Sequence, residues 1–491
     1  MSPPRSPSGE DGRRRSAATP LILLIGALAL IRLLAAAFIP LTEDEAYYRL
    51  WAQHPGLGYY DHPPMISWWI AAGMRLAGDS ALGVRLLPVL SSLMTTALVI
   101  DLGRRMGAER TGLTAALLYN ATLTVGAGAI LAIPDAPASL FWVATLWAMV
   151  RATEDHDRWW LMAGAAAGLA CLSKYSALFL APGVIAWLAL SVDGRRRLAS
   201  PWPWLAALIA AAVFSVNVAW NADHHWLTFA KQFGRVSPGR FTPRYLGEFI
   251  GAQFVLLNPA VAILAGLGAA KACKARQGVP LMAVATSIAF LAYLLLHSLH
   301  DRVQAHWPVP LYPAAALLAA YALEGASGWR AGLGRWAPAA IGLTTIALAY
   351  MALPFSLLAK GDPAAQLRGW PQFASGVDLL RAGQGAGWVG SLSYGVNAQL
   401  LAQRRIAAPV LQISERDRYL DMPDTAADLA KPGLLVDLLR RVDRAKLEAC
   451  FASVGPVQEI YRGSVQDPDS RYGAVLVSGP KLDLKKTGCP S

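Results

Sequence analysis

Apolar runs that are long enough, or nearly long enough, to cross a lipid bilayer recur along most of the chain. A helix rises about 1.5 Å per residue, so about 20 apolar residues cover the hydrocarbon core of a membrane. The sequence contains eleven such runs, at about 21–40, 81–103, 112–132, 136–151, 160–173, 176–191, 203–220, 248–270, 280–298, 307–323 and 337–358. This pattern predicts a polytopic α-helical membrane protein with one transmembrane helix for each run.

The composition excludes a soluble protein. Charged residues make up only 15% of the 491 residues, against about 25% in soluble domains, and the mean hydropathy is +0.37. The net charge of +12 does not indicate a nucleic-acid partner, because basic residues in membrane proteins are distributed according to topology. We therefore expect membrane lipids, and no nucleic acid, as partners.

The start of the chain carries a basic cluster, Arg13–Arg15, shortly before the first apolar run. A signal peptide has a shorter apolar core and a small-residue cleavage site. The run at 21–40 is long enough to span a membrane. Residues 1–19 are therefore predicted to be a cytoplasmic tail that precedes an uncleaved first helix.

The loops between the apolar runs are of two alternating kinds. One set is short and rich in Lys and Arg, as at 103–110, 151–158 and 193–197, which is typical of cytoplasmic loops. The other set is rich in Asp, His, Trp and Tyr and includes the loop at 41–80. The unusual motifs are thus predicted to lie on the extracytoplasmic side of the membrane.

The composition becomes polar after the last apolar run. Short strand-like stretches alternate there with helical ones, at 387–394, 432–439 and 471–479. With an odd number of spans, this predicts a small periplasmic α/β domain at 361–491 after a transmembrane domain at 20–360. An oxidising compartment would permit a disulfide between Cys450 and Cys489, and two free thiols are the alternative.

The first outer loop begins with the acidic stretch TEDEAYY, Thr42–Tyr48, which holds Glu43, Asp44 and Glu45. Acidic residues favour helix N-termini, so one interpretation is a solvated cap for the helix that starts near Ala46. The same acids also lie where a membrane surface is expected and among aromatic side chains, as at a sugar-binding site. The loop therefore offers a candidate catalytic carboxylate.

The same loop contains a second motif, YYDHPP, at Tyr59–Pro64. It places Asp61 and His62 directly before two prolines, which restrict the backbone and favour the start of a helix. The following stretch, 65–78, is short and contains two adjacent tryptophans and one basic residue. This pattern predicts a helix that lies in the membrane interface and holds Asp61 and His62 at a fixed depth.

Two charged residues stand alone among the apolar runs. Asp135, in AIPDAP, is a functional candidate because a carboxylate at the membrane boundary is costly, and a turn that caps the next helix is the alternative. Lys174, in CLSKYSALFL, would suit a phosphate group. A side chain that reaches up to the lipid headgroups is the alternative for this lysine.

A later outer loop, 221–248, is basic although its predicted side is not the one that collects Lys and Arg. It holds His225, Arg240 and Arg244, and His306 follows in another outer loop. A lipid-linked phosphate or anionic lipid headgroups would explain this charge. The two adjacent histidines of the loop cannot share one helical face, so they support a zinc site only weakly.

The chain resembles the bacterial membrane glycosyltransferases of the dolichyl-phosphate-mannose-protein mannosyltransferase-like (GT-C) superfamily in seven successive motifs: TEDEAYY, GLGYYDHPPMISWW, ALGVRLLPVL, AIPDAP, LSKYSAL, NADHHW and AHWPVPLYP. The likeness covers about residues 20–320, and the group includes aminoarabinose and galacturonosyl transferases of lipid A. The resemblance implies a GT-C fold with interfacial helices in the first outer loop. It also implies an inverting enzyme that moves a sugar from a polyprenyl (undecaprenyl) phosphate donor to lipid A, another glycolipid or a protein on the outer face of the inner membrane.

The resemblance further implies roles for individual residues. The acid that matches the DE motif of the family is Asp44, the expected general base or acceptor-orienting group, with Asp135 or Glu45 as a supporting acid. The expected ligands of the donor phosphate are Lys174, Arg240, Arg244 and His62. The expected substrate-binding residues are Tyr47, Tyr48, Tyr59, Tyr60, Asp61 and His306.

Two positions depart from relatives that transfer aminoarabinose, which usually have Lys in place of His62 and Arg in place of Tyr47. The sugar is therefore left open. No cofactor is expected to be required, and a divalent metal held by Asp61 and His225 is also left open. The alternative function is a transporter or flippase of a lipid-linked or anionic substrate, whose ionisable residues would be expected near the middle of the membrane.

Overall fold

The computed structural model describes residues 8–234, 241–358, 361–420, 422–423, 426–463 and 470–489. The chain forms two compact units, each assembled from several chain segments. The helical unit runs up to Ala37 and continues through Arg85–Asp223 and Gln232–Leu348. The mixed unit contains Phe38–Val84, His224–Lys231 and the chain from Ala349 onward.

Helices dominate the described residues, as predicted. They are α1 (Ser8–Phe38), α2 (Glu43–Gln53), α3 (Met65–Ala77), α4 (Ala81–Met106), α5 (Glu109–Asn120), α6 (Leu123–Gly128), α7 (Asp135–Glu154), α8 (Trp159–Ser173), α9 (Leu180–Leu190), α10 (Val192–Leu198), α11 (Trp202–Asp223), α12 (Leu227–Gly234), α13 (Arg244–Leu256), α14 (Pro259–Ala275), α15 (Gly278–His297), α16 (Tyr312–Leu323), α17 (Gly328–Trp336), α18 (Ala339–Met351), α19 (Trp370–Gly383), α20 (Tyr394–Gln403) and α21 (Arg444–Cys450). The strands are β1 (Trp388–Ser391), β2 (Val410–Gln412), β3 (Gly433–Leu438), β4 (Phe451–Val454), β5 (Gln458–Tyr461) and β6 (Arg471–Pro480).

The predicted apolar runs are helical over most of their length, but two of them are broken. The run at 112–132 divides into α5 and α6, and the run at 248–270 divides into α13 and α14. By length and composition, four helices among the described residues could cross a membrane, or six if each strongly bent pair is one span. The predicted number of eleven spans is therefore not confirmed.

Asn258 explains the break between α13 and α14. Its backbone has a φ of 75°, a left-handed conformation, and Pro259 begins α14 at a position where a missing N–H is harmless. The Asn258 side chain accepts a hydrogen bond from the N–H of Ala260 and donates to the carbonyl oxygens of Ala121 and Ala337. The two helices therefore meet at an angle of 104°.

Glycines let helices of the helical unit approach each other closely. A Cβ atom added to Gly268 on α14 would lie 1.9 Å from the carbonyl oxygen of Leu318 on α16. One added to Gly164 on α8 would lie 2.2 Å from the carbonyl oxygen of Ala206 on α11. Such contacts are typical of membrane proteins, because lipid provides no hydrophobic drive between helices and close packing must supply the attraction.

The mixed unit is built around a sheet with the strand order β2-β1-β3-β6-β4, in which β5 also pairs with β6. Strands β1, β2 and β3 are parallel, whereas β6 runs antiparallel to β3, β4 and β5. The three strands predicted from the sequence correspond to β1, β3 and β6. Strands β2, β4 and β5, of three or four residues each, were not predicted. This sheet with α19, α20 and α21 is called the C-terminal α/β part below.

The first predicted outer loop contributes α2 and α3 to the mixed unit. Thr42 is the N-cap of α2, and its side chain forms a capping box with Glu45. Helix α3 begins at Met65, directly after the double proline, and ends before Gly78, which has a φ of 75°. The helix predicted at 65–78 is therefore present, and its location in a membrane interface stays a prediction.

A disulfide joins Cys450, at the end of α21, to Cys489, with 5.8 Å between their Cα atoms. Both residues are buried in a core that also contains Trp388 and Phe451. Of the two alternatives that the sequence left open, the structure has the disulfide. The described free cysteines are Cys171 and Cys273.

We expect the double variant Cys450→Ser/Cys489→Ser to lower the free energy of unfolding of the mixed unit by about 4 kcal/mol. The reason is the conformational entropy that the unfolded chain regains when a loop with a sequence separation of 39 residues is opened. Amide hydrogen exchange of β3 and β6 in the full-length protein measures the change. Cys273→Ser, which removes an exposed free thiol, is the control, and alkylation of both wild-type thiols without reductant would contradict the disulfide.

Candidate active site

The acids at the start of α2 have different environments. Glu45 is fully buried, and its Oε2 atom accepts hydrogen bonds from the Thr42 backbone N–H (2.9 Å) and hydroxyl (3.1 Å). This carboxylate completes the capping box of its own helix. Asp44 is exposed, and its Oδ1 atom accepts a hydrogen bond of 2.9 Å from the hydroxyl of Tyr394 on α20. Asp44 is therefore the more accessible of the two predicted catalytic acids in this motif.

Glu43, the remaining acid of the motif, lies against the first turn of α20. A Cβ atom at Gly395 would lie 2.3 Å from the Glu43 Oε2 atom, so a larger residue there would displace the carboxylate. Burial raises the pKa of the Glu43 carboxyl, although the positive charges of Arg462 and Arg441 oppose the rise. Glu43 therefore binds a proton more tightly than an exposed glutamate does.

Asp61 joins three distant segments of the mixed unit. It forms ion pairs with Lys231 and Arg418, and it accepts a hydrogen bond of 3.1 Å from the hydroxyl of Tyr47. Burial raises the pKa of the Asp61 carboxyl, but Arg418 and Lys231 lower it by more, so the net shift of this pKa is downward. Asp61 is therefore an ionised group held by two cations, which makes it a poor proton acceptor near neutral pH.

The four predicted substrate-binding tyrosines differ in accessibility. Tyr47, Tyr48 and Tyr59 are buried, whereas Tyr60 is half-exposed. The Tyr59 hydroxyl is engaged by backbone groups of the same loop, including an N–H at 2.7 Å. The Lys231 Nζ atom lies 4.0 Å from the centre of the Tyr60 ring, a cation–π contact. Tyr60 is thus the tyrosine of this set that can meet a ligand, and the other three pack the loop behind it.

A second polar cluster lies within the helical unit. Lys174, at the C-terminal end of α8, donates a hydrogen bond of 2.7 Å to Asp135 Oδ1 at the start of α7. Lys174 and Asp135 are 9% and 4% exposed. His306 is more exposed, and its Nε2 atom lies 4.0 Å from Asp135 Oδ2. The structure thus brings together three predicted site residues that come from three separate loops of the sequence.

The Asp135–Lys174 pair has the properties of an anion-binding group. Buried ion pairs are costly to desolvate, and ionisable pairs within membrane proteins commonly mark functional positions. A lysine ammonium has three N–H donors, of which Asp135 takes one. Lys174 can therefore bind an anion such as phosphate while its hydrogen bond to Asp135 holds it in place.

The other predicted phosphate ligands are distributed differently. Arg244 is exposed and pairs with Glu248 at 2.9 Å, one turn along α13, and Glu248 also pairs with Arg302. Arg240 lies outside the described residues. His62 is half-exposed, and its charge contributes to the environment of Asp61. Phosphate binding by these residues stays a prediction.

No group of three or more His, Cys, Asp or Glu side chains is arranged to hold a metal ion in the described part of the chain. Asp61 is engaged by two cations of the protein itself. His225 has a left-handed backbone conformation, with a φ of 54°. The structure therefore adds no support for a divalent metal at Asp61 and His225.

Three residues of these clusters were not predicted as site residues: Lys231, Tyr394 and Arg418. Lys231 belongs to the basic 221–248 loop, so its charge could have marked it as a candidate site residue. Tyr394 and Arg418 are separated from Asp44 and Asp61 by 350 and 357 residues, and no local pattern connects positions so far apart. Covariation among homologues is the signal that reveals such pairs.

The two clusters offer two kinds of chemistry. The exposed carboxylate of Asp44 can accept a proton from a hydroxyl group. The buried ammonium of Lys174 can stabilise a developing negative charge, and charges interact more strongly in buried surroundings.

The sequence has recognisable relatives. Residues 61–220 match the family model described as dolichyl-phosphate-mannose-protein mannosyltransferase. The chain is 29% identical over 286 residues to the lipid A galacturonosyltransferase RgtD of Rhizobium johnstonii, a match that covers 57% of this chain and 60% of that protein. It is 25% identical over 383 residues to the undecaprenyl phosphate-alpha-4-amino-4-deoxy-L-arabinose arabinosyl transferase of Pseudomonas aeruginosa, covering 63% of this chain and 69% of the relative. The chain thus spans 60% of the length of the first relative.

Solved structures with a similar fold are also known. ArnT from Cupriavidus metallidurans, bound to undecaprenyl phosphate, matches with a TM-score of 0.67 at 15% identity, covering 94% of this chain and 100% of that one. The oligosaccharyltransferase of Archaeoglobus fulgidus matches with a TM-score of 0.52 at 15% identity, covering 78% and 61%. These likenesses show the fold and agree with the predicted GT-C class. The resemblance drawn from the motifs is confirmed: the chain is related to the dolichyl-phosphate-mannose-protein mannosyltransferase family.

Proposed function

We propose that this protein is a membrane glycosyltransferase that moves a sugar from a polyprenyl-phosphate donor to a glycolipid of the lipid A type. The observation that carries the proposal is the exposed Asp44 carboxylate, in a motif whose neighbouring acids are less accessible. The related proteins are named as a lipid A galacturonosyltransferase and an undecaprenyl phosphate-aminoarabinose transferase. The solved structure with a similar fold has undecaprenyl phosphate bound.

Asp44 is assigned as the general base. The acceptor hydroxyl attacks the anomeric carbon of the donor sugar while Asp44 takes its proton. A bond forms between the acceptor oxygen and the anomeric carbon, and the bond from that carbon to the phosphate oxygen breaks. Polyprenyl phosphate leaves with the bonding electron pair, and direct displacement inverts the anomeric centre.

The neighbouring acids are poorly suited to act as the base. Glu45 accepts the hydrogen bonds that cap α2, and protonation would weaken that cap. Asp61 is held by two cations, and protonation would remove the negative charge that pairs with both of them. The Asp44 carboxylate is exposed while it accepts the hydrogen bond from Tyr394, so it is the acid of the motif that an acceptor hydroxyl can reach.

Lys174 is assigned to the leaving phosphate. Its buried ammonium would stabilise the negative charge that grows as the bond to the sugar breaks. Asp135 fixes the position of this ammonium through the 2.7 Å hydrogen bond. His306, 4.0 Å from Asp135, could add a second positive charge when it is protonated.

We further propose that the first outer loop and the C-terminal α/β part face the periplasm of the bacterial inner membrane. Support comes from the Cys450–Cys489 disulfide, because such bonds persist in oxidising compartments and are rare in the cytosol. The loops that were predicted to be cytoplasmic carry the short basic clusters expected of that side. The orientation is tested by reporter fusions at the C-terminus.

We expect Asp44→Asn to reduce sugar transfer by about 10²–10⁴-fold, the usual effect of losing a general base. Purified protein in liposomes is supplied with lipid A and with undecaprenyl phosphate that carries galacturonate or aminoarabinose. Mass spectrometry of the lipid products measures the transfer and identifies the sugar. The control is Asp428→Asn, which removes an exposed carboxylate of the C-terminal α/β part, and it should retain the wild-type rate.

Two results would contradict these assignments separately. A wild-type rate in the Asp44→Asn variant would exclude Asp44 as the base but leave the transferase function standing. A wild-type protein that transfers neither sugar, in liposomes where it is folded, would count against the proposed function itself.

We expect Lys174→Gln to reduce transfer by about 10²–10³-fold, because the leaving phosphate loses a buried positive charge. This single variant also strands Asp135 without its partner, which alone destabilises a protein by about 3–5 kcal/mol. The double variant Asp135→Asn/Lys174→Gln removes both charges and separates the two effects. We expect it to melt close to the wild-type temperature and still to transfer slowly, and wild-type transfer by the double variant would exclude the phosphate role.

A further inference from the structure

Two side chains of the C-terminal α/β part reach the acidic motifs of the first outer loop within the mixed unit. The hydroxyl of Tyr394, the first residue of α20, donates a hydrogen bond of 2.9 Å to Asp44 Oδ1. Arg418, in a short 3-10 turn at Arg416–Tyr419, forms an ion pair with Asp61. Each of the two polar motifs of the first outer loop, TEDEAYY and YYDHPP, therefore contacts a side chain of the C-terminal α/β part.

These contacts are connected to one another. The Arg418 guanidinium lies 4.2 Å from the centre of the Tyr394 ring, a cation–π contact. The Tyr47 hydroxyl lies 3.1 Å from Asp61 Oδ2 and 3.0 Å from the backbone carbonyl oxygen of Arg418. Asp44, Tyr394, Arg418 and Asp61 thus form a continuous series of polar contacts between the two motifs.

The turn that carries Arg418 is held in a defined conformation. Glu415 has a φ of 48°, which is uncommon for a residue other than glycine, and its carboxylate pairs with Arg418 Nε at 2.7 Å. Arg416 donates hydrogen bonds to the carbonyl oxygens of Lys485 (2.8 Å) and Gln412 (2.9 Å). These contacts fix the backbone on the N-terminal side of Arg418. They therefore also fix the point from which the Arg418 side chain extends to Asp61.

We propose that Tyr394 and Arg418 are positioning residues of the active site. Tyr394 orients the Asp44 carboxylate for proton transfer, and Arg418 holds both Asp61 and the Tyr394 ring in place. The proposal rests on the proposed function, in which Asp44 is the general base. It makes the C-terminal α/β part a working component of the enzyme, although this part lies outside the region that matches the family model.

The physical effect of Tyr394 has two components. A hydrogen bond to one carboxylate oxygen fixes the direction of the other, and misplacement of a catalytic group by about 1 Å can cost about 10²-fold in rate. The same bond stabilises the charged carboxylate, so its loss should move the acidic limb of the pH–rate profile to higher pH. Glu43 lies beside Asp44 on α2, and Arg418 and Asp61 are the other charged groups that act electrostatically on Tyr394.

The chain offers matched controls for these two residues. Gln399 on α20 donates a hydrogen bond of 2.7 Å to the backbone carbonyl oxygen of Leu41. Arg404, at the end of α20, forms an ion pair with Asp79. Both residues connect the C-terminal α/β part to the first outer loop, as Tyr394 and Arg418 do. Their partners there, Leu41 and Asp79, are not acids of the two motifs.

The test compares Tyr394→Phe and Arg418→Gln with the controls Gln399→Met and Arg404→Gln in the liposome transfer assay. We expect kcat to fall by about 10- to 100-fold in the first two variants, with little change in the KM for the donor. For Tyr394→Phe, the acidic limb of the kcat/KM profile should move to higher pH. Arg418→Lys should recover part of the activity lost in Arg418→Gln, and the two controls should keep the wild-type kcat and pH profile.

The outcomes separate this assignment from the proposed function. If the wild type transfers sugar but Tyr394→Phe and Arg418→Gln match their controls, the assignment is wrong and the function stands. If all four variants lose activity equally with an unchanged pH profile, the C-terminal α/β part acts only by packing against the first outer loop. The assignment of Tyr394 and Arg418 as positioning residues is then again wrong. If the wild type transfers no sugar from any donor, the proposed function falls and the assignment falls with it.

Discussion

The mixed unit depends on the compensation of one buried charge, that of Asp61. The side chain is only 8% exposed, and an ionised carboxylate in such surroundings is costly unless it is paired and hydrogen-bonded. Its partners, Lys231 and Arg418, come from two other segments of the same unit. Because both cations are needed near a single carboxylate, the first outer loop, the 224–231 segment and the C-terminal α/β part are held together at this point. Tyr60 and Tyr394 are placed around it as a result, through cation–π contacts with Lys231 and Arg418.

Local helix chemistry explains how a row of three acids yields one candidate base. The N-terminus of α2 has unpaired N–H groups, and Glu45, at the third position, turns back to satisfy the N-cap. Glu43 packs against Gly395, where burial raises the pKa of its carboxyl. Asp44 points away from both and meets the Tyr394 hydroxyl. The interpretation of the motif as a helix cap therefore holds for Glu45, and the catalytic role of Asp44 stays a proposal.

The features that could be predicted from the sequence were those that depend on a short stretch of the chain. Apolar runs predicted helices, and isolated charges singled out Asp135 and Lys174, but nothing in the sequence joined these two, because their contact depends on how α7 and α8 pack. The break at Asn258 was visible only as an Asn-Pro pair inside an apolar run, where hydropathy outweighed a turn signal. Arg418 and Tyr394 lie in a polar region without a sequence motif. Only their contacts with residues far away in the sequence single them out.

The separation of 357 residues between Asp61 and Arg418 also has a consequence for biosynthesis. At about 5–20 residues per second, roughly 20–70 s pass between the synthesis of the two residues. During that interval the first loop has been made and its carboxylate has no guanidinium to pair with, so the loop cannot reach its final packing while the ribosome is still adding the later helices. Completion of the polypeptide is thus itself a step in maturation. A chain that ends before the C-terminal α/β part would keep its apolar helices, but its first loop would lack Tyr394 and Arg418 as partners for Asp44 and Asp61.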